Sequence, residues 1–196
     1  MPDLIIKPKN QSGNKLILQD QGAVTRLQTE DAGITITAPT IASMANCTFP
    51  AGHVIQVEHF VYSGYHNYSE PDSGVATPIL KAITPHKNNS KILVFVNVTI
   101  HAHSTTNNKG QLALYKDIGG GGFAESERWD LIVKMDSANI GAGVGVVFYD
   151  TVTSLSELTY KVYVRNNEAN GDIRINDYSV TSGAASSSIT LMEIAV

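Results

Sequence analysis

Between Lys91 and His103 the side chains alternate with a period of two. Ile92, Val94, Val96, Val98 and Ile100 share one face, while Leu93, Phe95, Asn97, Thr99, His101 and His103 share the other. Successive side chains of a strand point to opposite sides of its sheet, so the pattern predicts a long β-strand, buried on both faces at its start and on one face later. The same alternation, rich in Val, Ile, Thr and Tyr, recurs over residues 53–62, 111–117, 128–135, 144–150, 159–166, 173–180 and 188–196. Gly, Asn, Asp and Ser clusters separate these segments, as turns require. No stretch of ten residues carries an amphipathic helix. The chain therefore reads as all-β, with an antiparallel jelly-roll-like β-sandwich over residues 52–196.

The first 38 residues have a different texture. Short apolar pairs, Leu4 with Ile6, Leu16 with Leu18, Val24 with Leu27 and Ile34 with Ile36, are divided by turn signals at 12–14, 20–22 and 31–33. So short a segment buries too little surface to offset the entropy of ordering it. Wrapping around identical segments of other chains would supply the missing core and cover the strand edges. Residues 1–38 are thus expected to form a small intertwined β-rich base for oligomerisation and docking, in a homotrimer. Residues 39–51, in which Pro39 and Pro50 bracket small side chains, read as a linker.

Composition narrows the function classes. Charged residues are 16% of the 196, against about a quarter in an ordinary soluble domain, and the net charge is −4. No basic stripe offers a footprint for nucleic acid. No apolar run approaches the roughly 20 residues that a membrane-spanning helix needs, so no membrane insertion is expected. The N-terminus lacks the pattern of a secretory signal, which places synthesis in a cytoplasm. One cysteine, Cys47, forms no intramolecular disulfide. Stability has to come from burial or assembly.

The residues also carry a resemblance. The stretch 13–20 with Arg26, Leu27 and 31–33 resembles the opening of short tail-fibre and virion surface proteins of tailed phages that infect aquatic bacteria, cyanophage-like in character. Residues 49–57 resemble the entry to the C-terminal domain of that family. Segments 83–85, 90–94, 148–150 and 159–162, and above all Ser188-Ile-Thr-Leu-Met-Glu-Ile-Ala195, resemble its strand signatures in the same order. The resemblance implies a non-enzymatic, oligomeric structural protein on the virion surface, made in the bacterial host cytoplasm and partnered by other virion proteins of capsid or tail. Capsid decoration or a short head fibre is the first expectation, because a compact base and one sandwich make a poor free-standing long fibre. A tail-fibre tip for receptor binding is the second. A polysaccharide-degrading enzyme is a distant third.

No nucleophile elbow or phosphate-binding loop occurs. Residues 141–145 superficially match a dinucleotide turn but lead into no helix, and read instead as a flexible turn or a closely approached backbone. Glu125 and Glu127 beside Arg128-Trp129-Asp130 read as a solvated hairpin shoulder rather than a glycosidase pair. His101 and His103 point to one side of a strand, so three copies around an axis would present six imidazoles to a metal; the plainer reading is a polar strand end facing solvent. The aromatic stretch Tyr62, Tyr65, His66 and Tyr68 suits either a host surface glycan or an intersubunit contact. No cofactor is expected.

Overall fold

The computed structural model describes the backbone of residues 17–19, 25–30, 33–35, 50–69, 74–103, 108–135, 140–166, 171–177 and 185–196. It describes the side chains of residues 50–69, 74–101, 110–126, 141–166, 171–177 and 185–196. The chain divides into two compact units, Met1–Cys47 and Thr48–Val196. The expected linker over 39–51 lies outside the described residues apart from 50 and 51.

In the first unit β1 (Ile17–Gln19), β2 (Thr25–Glu30) and β3 (Gly33–Thr35) form an antiparallel meander in that order. Leu18 stands opposite Leu27, and Ile34 opposite Thr29. Leu4, Ile6, Leu16, Val24 and Ile36, expected in the same base, lie outside the described residues.

The second unit contains β4 (Val54–Tyr62), β5 (His66–Tyr68), β6 (Val75–Ile83), β7 (Lys91–His103), β8 (Asn108–Ile118), β9 (Ala124–Met135), β10 (Ile140–Thr151), β11 (Leu158–Asn166), β12 (Asp172–Ile175) and β13 (Ser187–Ile194). One sheet runs β4-β13-β7-β10, with β12 and β5 continuing the β13 and β4 positions beside the far end of β7. The other runs β6-β11-β8-β9. Both are antiparallel, and the eight main strands are distributed between the sheets in the order of a jelly roll, crossing at every step except β8 to β9. The core lies between them: Ile92, Val94, Val96, Val98 and Ile100 of β7 and Ile189 and Leu191 of β13 meet Leu112, Leu114, Tyr160, Val162 and Val164 of the facing sheet.

Two strands escape the period-two reading. Segment β5 has only three residues. Strand β6 holds Pro78, which donates no backbone hydrogen bond and is tolerated because β6 is an edge strand. The pairing with β11 is irregular between Lys161 and Tyr163, and the Val162 carbonyl accepts instead from the Thr77 hydroxyl at 2.8 Å. A side chain thus replaces the missing amide. A third departure is 141–145, which lies inside β10 rather than in a turn. The strand expected over 173–180 closes earlier, at Ile175, because Asn176 takes a left-handed backbone with φ 54°.

Asn176 also ties four segments together. Its amide nitrogen donates to the carbonyls of Tyr62 and Gly64, its backbone N–H donates to Thr99, and its side-chain oxygen accepts from Ser187 Oγ at 2.8 Å. Replacing Asn176 by Ala would remove the partner of the Tyr62 and Gly64 carbonyls and of the Ser187 hydroxyl and keep the strained φ. The expected loss is about 2–4 kcal/mol, read from urea unfolding, against about 2–5 kcal/mol for the core truncation Leu191→Ala.

Candidate functional site

The aromatic stretch divides by burial. Tyr62, at the end of β4, packs on the core, and its hydroxyl end lies against Gly64, where a Cβ would collide with the ring. Tyr68 in β5 is buried, with its hydroxyl lacking a hydrogen-bond partner, and burial, aided by the nearby Tyr62, pushes its pKa up. His66 stacks against Tyr68 with ring centroids 4.4 Å apart. Only Tyr65 and His66 face solvent. The four residues are brought together, but two of them serve packing.

His101 departs from the solvent-facing expectation. It occupies an outward position of β7, yet it is 1% exposed and, among the described residues, neither ring nitrogen has a hydrogen-bond partner. It stands opposite Gly141 of β10 on one side and Arg174 of β12 on the other. Its ring fills the space where a Cβ on residue 141 would lie, so this glycine is required by close approach. Desolvation lowers the His101 pKa below its ordinary 6.5, with Asp177 opposing that effect and Arg174 reinforcing it. The His103 side chain lies outside the described residues, and among those described no group of three or more His, Cys, Asp or Glu could hold a metal.

Glu193 of β13 is a further buried ionisable group, 0% exposed. Ser90 Oγ and Gln56 Nε2 each donate to its carboxylate at 2.7 Å, and the His86 and Lys87 backbone amides and the His86 ring complete the cradle. Burial alone would raise its pKa; the hydrogen bonds from Ser90, His86 and Gln56 outweigh it and hold the group below 4.5. The arrangement is a clasp: one carboxylate pins the β6–β7 connection onto the last strand. Asp150 does the same at the opposite edge, accepting from Lys116 Nζ at 2.7 Å and the Tyr160 hydroxyl at 2.6 Å across the two sheets.

A surface cluster that the sequence reading missed lies on the outward face of the second sheet. Tyr115 of β8 and Tyr163 of β11 stack with centroids 3.8 Å apart. Arg165 Nε donates to Gln111 Oε1 at 2.9 Å, and the Tyr115 hydroxyl donates to Glu125 at 3.1 Å. These residues line a shallow recess. The signal was two tyrosines at outward positions, but they belong to strands 48 residues apart, and periodicity does not show which strands are neighbours. Glu125 is thereby committed to Tyr115, while the Glu127 side chain lies outside the described residues.

No family model matches this sequence, and no curated protein matches it. Among solved structures, the chain is similar to the infectious bursal disease virus VP2 subviral particle, at 10% identity and a TM-score of 0.37, covering 71% of this chain and 38% of that one. It is similar to infectious bursal disease virus Gx strain at 6% identity and a TM-score of 0.36, covering 72% and 37%. The chain spans less than two fifths of each, and likenesses this distant carry no argument about function.

Acid should destabilise the sandwich in two windows. For His101 the folded pKa is the lower one, so the unfolded chain binds more protons and stability falls as pH drops below about 6.5. For Glu193 the folded pKa is also lowered, so its contribution is complete above about 4.5 and is lost as pH falls through that value. Urea midpoints measured across pH should lose the first slope in His101→Leu and the second in Glu193→Gln.

Proposed function

We propose that this chain is a non-enzymatic structural protein of a tailed-phage virion surface, acting as a homotrimer whose N-terminal unit docks to the particle and whose sandwich is exposed. The observation that carries the reading is where the resembling segments fall. Residues 49–57 run into β4, 83–85 end β6, and 90–94 begin β7. Residues 148–150 lie in β10, 159–162 in β11, and Ser188 to Ala195 are essentially β13. The resemblance is therefore carried by the strands that build the jelly roll, with Glu193 of its terminal signature as the clasp that closes the fold. Among the described residues the buried carboxylates are spent on structural contacts, Glu193 on the β6–β7 connection and Asp177 on Arg174 three residues earlier, which favours a scaffold over a catalyst. Capsid decoration is preferred over a tail-fibre tip because one sandwich on a short base suits direct seating on a shell.

Quantitative mass spectrometry of the parent particle tests the placement: hundreds of copies are expected for decoration, whereas a few tens or fewer would move the protein to the tail. Native mass spectrometry of the isolated full chain is expected to give three copies. In the receptor-binding alternative, Tyr65→Ala would reduce host adsorption without changing assembly; unchanged adsorption removes that role for the loop.

A further inference from the structure

The two outward faces of the sandwich differ in chemistry. An antiparallel sheet with one face on the core ordinarily turns polar side chains to water. The second sheet mixes charged side chains, Asp117, Lys161 and Arg165, with apolar and aromatic ones such as Leu80, Tyr115 and Tyr163 at its outward positions. The first sheet does not. At the outward positions of 57–61, 91–99, 143–151 and 188–194 there is one charged side chain, Lys91 at the border, and no carboxylate. Val57, Met192, Leu93 and Tyr149 form one row across all four strands, and Phe95 stands beside Val147 in the next. Val57 is 52% exposed, Val147 58% and Tyr149 55%.

The glycines of β10 point the same way. Gly143 and Gly145 occupy outward positions without a left-handed φ, and a Cβ on either would meet no described atom within 4 Å. Unlike Gly141, neither is required by backbone conformation or by packing within the chain. In a strand interior such a residue leaves room for something that approaches closely from outside.

We propose that this face is where a second copy of the chain packs, the β10 side of one subunit lying against the β4 side of the next around the ring. This rests on the homo-oligomeric reading above and locates its interface in the sandwich as well as the base. Charge selects the occupant. Each copy carries a net charge of −4, so two copies repel except where they meet through a surface without acidic groups, and this face is such a surface. Four strands about 4.8 Å apart, averaging about eight residues over this face at about 3.3 Å each, make roughly 500 Å², below the about 800 Å² that one partner in a stable complex contributes, so the base supplies the remainder. The exposed apolar side chains concentrate on β4 and β10, at opposite sides of the sheet, which is the arrangement that head-to-tail closure of a ring uses.

The experiment is sedimentation and native mass spectrometry of the full chain and three variants over a hundredfold concentration range. Val147→Glu places a charge on the face, Gly145→Ala adds one methyl group, and Leu80→Glu places a charge on the other sheet as a control. The expected result is at least tenfold weaker association for the first two, with unchanged circular dichroism, and wild-type association for the third. Should Val147→Glu fail to fold, Gly145→Ala decides, because nothing in the subunit obstructs its methyl group. An oligomer equally stable in all variants would overturn this face as the interface while leaving the homotrimer intact. A wild-type chain that is monomeric throughout would overturn both.

Discussion

Strand β7 is the element on which the sandwich depends. It is paired over Lys91–Ala102 by β10 on one side, and over Lys91–Asn97 by β13 and Ile100–His103 by β12 on the other, with Ser187 Oγ accepting from the Thr99 amide between them. A strand flanked on both sides has its register tied to three neighbours at once. Slipping it by one residue would turn the row from Ile92 to Ile100 out of the core and bring Asn97, Thr99 and His101 in. The aliphatic row is what prevents the slip.

Polar groups then fix what apolar burial leaves undetermined. Burial specifies which face of a strand turns inward but only weakly where a connection crosses the edge of a sandwich. Glu193 supplies that information at one edge by accepting from three residues of the β6–β7 connection, and Asp150 supplies it at the other by joining β10 to β8 and β11. Asn176 does so where the first sheet divides, holding β12 and β13 in line beside β7. Glu193 and Asn176 are buried and Asp150 is partly so, and removing any of them would leave several partners unsatisfied, which makes these positions costlier to change than their size suggests.

His101 and Tyr68 stand apart, because both are buried with polar atoms that lack partners. Both lie around the extension made by β5, β12 and the far end of β7, away from the regular four-stranded part of the sheet. That end of the sheet carries the buried histidine and tyrosine, while the middle of the same sheet carries the uncharged outward face. One sheet therefore presents two different surfaces along its length, a division set by the side chains that alternate along β7 and β10.

Much of the fold was legible from period two alone, since alternation of β-branched and polar side chains dictates strands and their inward faces without knowledge of neighbours. Strand β6 was hidden because Pro78 breaks the pattern, and its repair by the Thr77 hydroxyl requires Val162, 85 residues away. The glycines at 141–145 carried a turn signal that pairing with β7 overrode. Of the site residues, the aromatic stretch and the two histidines were visible by type, but burial separated Tyr65 from Tyr68 and withdrew His101 from solvent. The sequence by itself determined strand content, inward faces and the low charge that suits assembly, because these depend on local chemistry. Only the tertiary structure decided which strands are neighbours, which polar groups become buried clasps, and that one outward face is left without acidic groups. Those properties arise from residues distant in the chain meeting across a sheet.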